Sequence, residues 1–464
     1  MKENYRWLLL ILALSQVSQV HAEDLMTVYQ QALAFDPELQ IAGLKVEVGA
    51  AQKGQALGGM LPQITATTSW SENNQKTANN PNPDDLYFDA TKHFKGNRYN
   101  VALSQSLFDF AKFWDWRRAQ DTEDQYALEN IVAQHDLMFN VVERYFNVLE
   151  AEDQLYYLQA EIDTTVKQLE QVKRQYVKQL VLITDVYEVE SRLDKLRADE
   201  IEAETLVVIA KEALKEKTNT EPVGLYKLSD KIEFNKLDGK LEEWIEVAKS
   251  ENPIMTAQLK AIEAASSNVK VQKSKHLPVV DLQLTYIQTN QGFNNIGIGN
   301  EYETTSGGIN VSIPLFSGGV TTNQMYEAQH KLSISENDNQ AKIRALIKET
   351  SDAFLTSNAG VKRVSASRKA VESAIKSRES LETSFRYGDQ TIGDVLNAQQ
   401  DEFHAKRDLA IAKYTYIKNK IRFMRSIGLI GVENLIEVNS WLNVMPTSQE
   451  RAIDEKASAD TGLH

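Results

Sequence analysis

Two stretches of this chain lack helix breakers for longer than a globular domain can use. From Phe110 to Leu180 there is neither proline nor glycine, and from Val320 to Tyr387 there is no proline and one glycine, Gly360. Proline removes a backbone donor and glycine costs backbone entropy, so their absence permits unbroken helix. About 70 residues of helix span about 105 Å, so each stretch needs a partner along its length. Leu155, Leu158, Ile162, Thr165, Leu169, Val172 and Tyr176 step by three and four. The returning arm continues with Val186, Val189, Leu193, Leu196, Ala203, Val207, Ala210 and Leu214, broken at Glu200. This spacing predicts an antiparallel coiled coil. The later stretch is less regular: Val364, Val371, Ala374, Leu381 and Phe385 are interrupted by Ser367 and Arg378.

The chain is written twice. The turn QYVKQLVLITDVYEVESRLD (Gln175–Asp194) matches FRYGDQTIGDVLNAQQDEF (Phe385–Phe403), with Asp185 and Asp394 209 residues apart. Asp36-Pro37 matches Asn252-Pro253, Leu61-Pro62 matches Leu277-Pro278, and Leu107-Phe108-Asp109 matches Leu315-Phe316-Ser317. The first repeat occupies 23–238 and the second 239–430. Each predicts a helix of about 36 residues, a β pair (61–72 with 98–109; 277–288 with 305–316) and a long hairpin. The hairpin tips fall near 180–186 and 387–395. The opening helix and the returning arm, about 33 residues, together match the long helix, so two short helices can stack beside one long one. The irregular segments 218–240 and 428–445 then form an equatorial belt, and the polar tail 446–464 is expected to be disordered.

The β pairs alternate with period two. Ile64, Ala66, Thr68 and Trp70, then Tyr99, Val101, Leu103 and Leu107, form one apolar set; Leu282, Leu284 and Tyr286, then Ile309, Val311, Ile313 and Leu315, form the other. One wet and one apolar face suit either an outer-membrane barrel wall or the edge of a soluble sandwich. The loops between the strands, 72–97 and 289–305, are polar and without period; Asp84, Asp85 and Asp89 read as a plain acidic loop rather than calcium ligands. Four strands cannot close a barrel and open edges are not tolerated in lipid, so chains must share one. Two chains give eight strands and three give twelve; the polar inward set favours a water-filled lumen and hence three.

Composition sets further bounds. The net charge of −14 makes nucleic acid an unexpected partner, and the absence of cysteine excludes disulfides and thiolate metal sites. Residues 1–22, with Lys2, Arg6, the apolar run Trp7–Leu14 and Val20-His21-Ala22, read as a secretory signal peptide. Glu23, rather than cysteine, at the expected mature N-terminus leaves no lipid-anchoring thiol. His135, His276, His330 and His404 sit singly, and no P-loop, dinucleotide fingerprint or nucleophile elbow occurs. No enzyme, cofactor or metal is expected.

This layout resembles the TolC family of outer-membrane export channels. The carriers are VYQQALAFDPEL (Val28–Leu39), LPQI (Leu61–Ile64), PLFSGG (Pro314–Gly319) and the turns LVLITDV and DQTIGDVLNAQ. The resemblance covers essentially all of the mature chain. It implies a mainly α fold with a transmembrane β-barrel, closed as twelve strands in a homotrimer, and a periplasmic α-barrel of hairpins. It further implies a cell-envelope location in the outer membrane and periplasm, and work with a periplasmic adaptor (membrane fusion) protein and an inner-membrane RND or ABC transporter.

At the tips, Asp185 with Glu188, and Thr391 with Asp394, read as capping boxes. Leu182, Thr184, Asp185, Gly388 and Thr391 form the expected tip, cap and adaptor-docking set. The resemblance also implies an acidic pore constriction on the second tip, whose upper carboxylate falls on Asp394. Its second carboxylate position is Asn397, and the tyrosine and arginine of its closing network fall on Phe385 and Gln390. Phe385 has no phenolic donor and Gln390 cannot make a charged fork, so resting closure is expected to be weaker or differently wired, and the channel less cation-selective. The expected function is a trimeric conduit exporting drugs, toxins or proteins. The alternatives are a channel dedicated to type I protein secretion and, from another class, a structural coiled-coil envelope spacer or adhesin.

Overall fold

The computed structural model describes residues 23–77, 90–222, 224–229, 232–290 and 301–443. The expected signal peptide, the tail 446–464, the Asp84, Asp85 and Asp89 loop and the centre of the second polar loop lie outside the described residues. In chain order the elements are α1 (Leu25–Phe35), α2 (Pro37–Gly58), β1 (Gln63–Thr77), β2 (Ala90–Phe108), α3 (Phe110–Val177), α4 (Ile183–Thr218), β3 (Lys227–Leu228), α5 (Leu241–Glu251), α6 (Pro253–Ser274), β4 (Val279–Asn290), β5 (Glu301–Ser312), α7 (Val320–Tyr387), α8 (Ile392–Ser426), α9 (Val432–Asn439) and β6 (Leu442–Asn443).

The two breaker-free stretches are single helices, α3 and α7, of 68 residues each. The opening helix is not single in either copy. It breaks at Asp36 (φ −66°, ψ 117°) and at Asn252 (φ −70°, ψ 121°). The ring of Pro37 or Pro253 excludes its predecessor from the α region, so that residue turns extended while its N–H still closes the preceding helix. The N–H of Asp36 donates to the Ala32 carbonyl at 2.8 Å and that of Asn252 to Ala248 at 3.2 Å. The duplicated X-Pro dipeptides are therefore duplicated joints.

The four long strands form one antiparallel sheet in the order β1-β2-β4-β5. The repeats meet at β2–β4, and β1 and β5 are the edges. Register places Ile64 opposite Leu103 and Leu103 opposite Leu284; Ala66, Val101 and Tyr286 form the next rung. The paired members of the apolar set thus share one face, and it is uncovered in the single chain: Ile64, Trp70 and Ile309 are 69%, 70% and 66% exposed. β1 and β2 extend past the expected 61–72 and 98–109, to Thr77 and back to Ala90. β5 stops at Ser312, short of the expected strand positions Ile313 and Leu315. Pro314 has no N–H to donate to a ladder and ends the pairing there.

The chain divides into two compact units. One, comprising Gly43–Glu129 and Ile254–Lys342, holds the sheet. The other, comprising Met1–Ala42, Asn130–Pro253 and Ile343–His464, holds both hairpin tips and the segments expected as a belt. In this second unit Leu25, Val28, Val142, Tyr145, Phe146, Leu149, Ile417, Ile421, Leu435 and Val438 build one core. The belt is ordered rather than irregular: β3 pairs with β6 and α9 precedes β6. Buried tyrosines tie it down. Tyr145 donates to the Tyr226 carbonyl at 3.0 Å, and Tyr414 donates to Asp153, which also pairs with Lys227 at 2.9 Å. Burial, with Asp153 beside it, pushes the Tyr414 phenol far above its ordinary value, so it stays a donor.

Candidate functional site

Both hairpins turn through the same backbone motif. In the first, Gln179 N–H donates to the Tyr176 carbonyl at 2.8 Å and Leu180 N–H to Gln175 at 3.0 Å. In the second, Gly388 N–H donates to Phe385 at 3.1 Å and Asp389 N–H to Ser384 at 3.0 Å. These are Schellman closures whose pivot must be left-handed. Gly388 has φ +82° and its counterpart Gln179 has φ +59°. Glycine enters this region freely, whereas a side chain there costs about 1–2 kcal/mol. Gln179→Gly is therefore expected to stabilise the first tip by about 1 kcal/mol, read as slower amide hydrogen exchange at residues 178–182.

The returning helices start in step, but the first does not cap as its sequence predicts. α4 begins at Ile183 with Leu182 as its N-cap, and Leu182 has no side-chain acceptor. Asp185, the third helical residue, supplies half a box: its carboxylate accepts the Leu182 N–H at 3.0 Å. Glu188 takes no part in a box. The second tip forms the full box with Thr391. The Asp394 carboxylate accepts the Thr391 hydroxyl at 2.6 Å and N–H at 3.1 Å, and the Asp394 N–H donates to the hydroxyl at 3.2 Å. The hydroxyl and N–H of Thr391 hold the Asp394 carboxyl below its ordinary value of 3.8. It is ionised at neutral pH, and its capping contribution is lost only as the pH falls through that depressed value.

The tips meet through an apolar clasp that spacing alone did not reveal. Val172, Val186 and Val189 from the first hairpin are buried against Ile392 and Leu396 from the second, with Leu169, Val181 and Phe385 packed around them. Phe385 thus sits as a hydrocarbon wedge where the resemblance places a hydrogen-bonding tyrosine. The Glu188 carboxylate lies over Gly393, where a Cβ would come within 2.5 Å of it. Asn397, Gln390, Leu182, Thr184 and Gly388 are exposed and outside the clasp. Asp394 and Asn397 are one helical turn apart on α8, so they share a face. The pairing of Gln179 with Gly388, at the same 209-residue spacing, was the one sequence signal that could have located the pivot.

Further along the second hairpin, the interruption at Arg378 is filled by charge. Arg378 donates to Glu382 at 2.9 Å and pairs with Glu402, which Lys406 also contacts at 2.6 Å. In the first hairpin, Arg192 pairs with Glu161 at 3.0 Å and Lys211 with Glu152 at 2.9 Å across the two arms. Between α3 and the second tip runs a groove lined by Lys167, Gln168, Phe385, Arg386 and Gln399. Gln168 and Gln399 each hold a buried side-chain oxygen without a hydrogen-bond partner. Among the described residues no group of histidine, aspartate and glutamate side chains could hold a metal ion.

Comparison with known proteins shows what the chain and its fold are similar to. The family profile described as "Outer membrane efflux protein" matches residues 28–220 and 244–429. The outer membrane protein TolC of Vibrio cholerae is 30% identical over 430 residues, covering 92% of this chain and 95% of that protein. The alkaline protease secretion protein AprF of Pseudomonas aeruginosa is 25% identical, covering 94% and 90%. The outer membrane channel CmeC of Campylobacter jejuni superposes with a TM-score of 0.77 at 17% identity, covering 91% of this chain and 90% of that one.

Proposed function

The chain belongs to the outer membrane efflux protein family, channels of the Gram-negative outer membrane that extend into the periplasm, and on that premise we propose that it is one third of a gated export conduit. Three copies join β5 of one chain to β1 of the next and close twelve strands around a wet lumen. The observation that carries this reading is the open sheet: two unpaired edges and a lipid-ready apolar face cannot persist in a membrane as a monomer. The family is one of transport, and the conduit performs no covalent chemistry.

At the tips, three Asp394 carboxylates form a ring that attracts cations, while Asn397 leaves the second level of the constriction neutral. The apolar clasp replaces the hydrogen-bonded closure. A periplasmic adaptor docks on the groove between the tips, where the unpartnered oxygens of Gln168 and Gln399 await donors, and an inner-membrane RND or ABC transporter supplies the energy. Dedicated protein secretion is the second reading, favoured by the likeness to AprF. The test is extraction in mild detergent. The conduit reading requires a heat-modifiable trimer that forms pores in lipid bilayers; a monomer without pore activity overturns it. Drug sensitivity measured beside secreted protein in a deletion strain separates the two readings.

A further inference from the structure

The apolar face of the sheet does not end where the strands end. Alternation along β2 puts Tyr99, Val101 and Leu103 on the apolar face and Ser104 and Ser106 on the polar one. By parity Phe108 belongs with the serines. A β-bulge between Ser106 and Phe108 shifts the register, so that Phe108 lies opposite Val280, and Val280 opposite Val311. The extra residue turns Phe108 onto the apolar face. Its ring meets Phe110 edge-on, with centroids 4.5 Å apart, at the first residue of α3. From there Phe110, Phe113, Trp114 and Arg117 follow at helical spacing on one side of α3. Phe113 contacts both Trp114 and Trp116, and Phe110, Phe113 and Arg117 are exposed.

Two cations close this stripe. The Lys270 ammonium lies 4.1 Å from the centre of the Trp114 ring. The Arg117 guanidinium donates to the neutral Gln120 amide oxygen at 3.1 Å and is in no ion pair among the described residues. Two neighbouring cations on α3 are otherwise engaged. Lys112 turns back to Ser106 on the polar face of the sheet, and Arg118 makes two hydrogen bonds to Asp115. In a chain of net charge −14, an arginine bonded to a neutral amide and a lysine over a ring, beside Phe110, Phe113 and Trp114 at the end of the apolar face, form a selective arrangement. Aromatic side chains favour the headgroup level of a membrane and adjacent cations favour anionic phosphate there.

We propose that Phe110, Phe113, Trp114, Arg117 and Lys270 form a seat for an anionic glycerophospholipid of the periplasmic leaflet, with the aromatic rings against its glycerol and upper acyl chains and the two cations on its phosphate. The membrane interface thereby extends about two helical turns onto α3. The proposal rests on membrane location of the sheet and not on gating or cargo.

The test uses the full-length, detergent-extracted protein and native mass spectrometry. It is offered dioleoylphosphatidylglycerol or dioleoylphosphatidylethanolamine, and retained lipid is counted. At about 1 kcal/mol per cation near the surface, the two cations correspond to a preference of about tenfold to thirtyfold for phosphatidylglycerol. Arg117→Gln with Lys270→Gln is expected to abolish it. Arg117→Lys with Lys270→Arg, which keeps both charges, is expected to retain it. Equal retention of the two lipids by the unaltered protein overturns the proposal, as does an unchanged preference in the neutral double variant. Displacement of the lipid by excess inorganic phosphate also overturns it, by showing a free-phosphate site. A protein that conducts but does not discriminate the lipids sinks this proposal and leaves the conduit standing.

Discussion

Replacing Lys217 with methionine is expected to cost about 3–5 kcal/mol of stability, the range seen when one partner of a buried ion pair is removed. Lys217 closes the last turn of α4, and its ammonium lies 3.4 Å from Asp36 and 2.7 Å from Glu38. The Lys217 and Asp36 side chains are 4% and 3% exposed. Methionine would fill the space but strand the Asp36 carboxylate at the proline joint. The second repeat solves the same joint without charge: Asn252 donates its amide to the Ser426 carbonyl at 2.8 Å. Lys217→Ser combined with Asp36→Asn, which copies that solution, should therefore be less destabilising than Lys217→Met alone. Chemical denaturation of the detergent-solubilised protein checks both. Burial works against the charge on Lys217, but Glu38 and Asp36 outweigh it and raise its pKa above 10.5. The lysine's share of the pairing is thus fully present below about pH 10 and is lost as the pH rises through the raised value. Denaturation midpoints between pH 6 and 8, far below that range, should not move on this account.

Ile392→Asp is expected to have the second large effect. Ile392 is 2% exposed at the centre of the clasp, between Val172, Val186 and Val189. An aspartate there would bury an unpaired charge, with a penalty of several kcal/mol. Parting the tips relieves that penalty by letting water reach the carboxylate. The expected outcome is a protein that still assembles but shows larger and longer openings in bilayer recordings. Ile392→Leu, similar in volume, should leave the openings unchanged. Unaltered conductance in a correctly assembled Ile392→Asp protein would show that the clasp does not hold the tips together.

The sequence announced its elements better than its contacts. Freedom from proline and glycine predicted α3 and α7, because helix breakers act locally. The 209-residue spacing placed both turns, and the period-two sets gave the sheet its faces. The break at Asp36 and Asn252 was equally local, yet reading the opening segment as one helix overlooked the restriction that proline imposes on its predecessor. The Asp185 and Glu188 box failed because Leu182 and Ile183 start the helix earlier than the acidic residue suggests. The clasp was beyond reach: Val172 and Ile392 are 220 residues apart, and spacing within either helix does not say which helix its apolar face meets. The turn of Phe108 onto the apolar face was also hidden, since a bulge inverts the parity from which alternation is read.

The most direct measurement is single-channel recording of the unaltered protein and Asp394→Asn in planar bilayers under asymmetric salt, with divalent cations added on the tip side. A cation-preferring channel that divalent ions block is expected, with both properties lost in Asp394→Asn and strengthened in Asn397→Asp, which places a second carboxylate one turn along α8. Selectivity and block that are the same in all three proteins would contradict a constriction at the second tip.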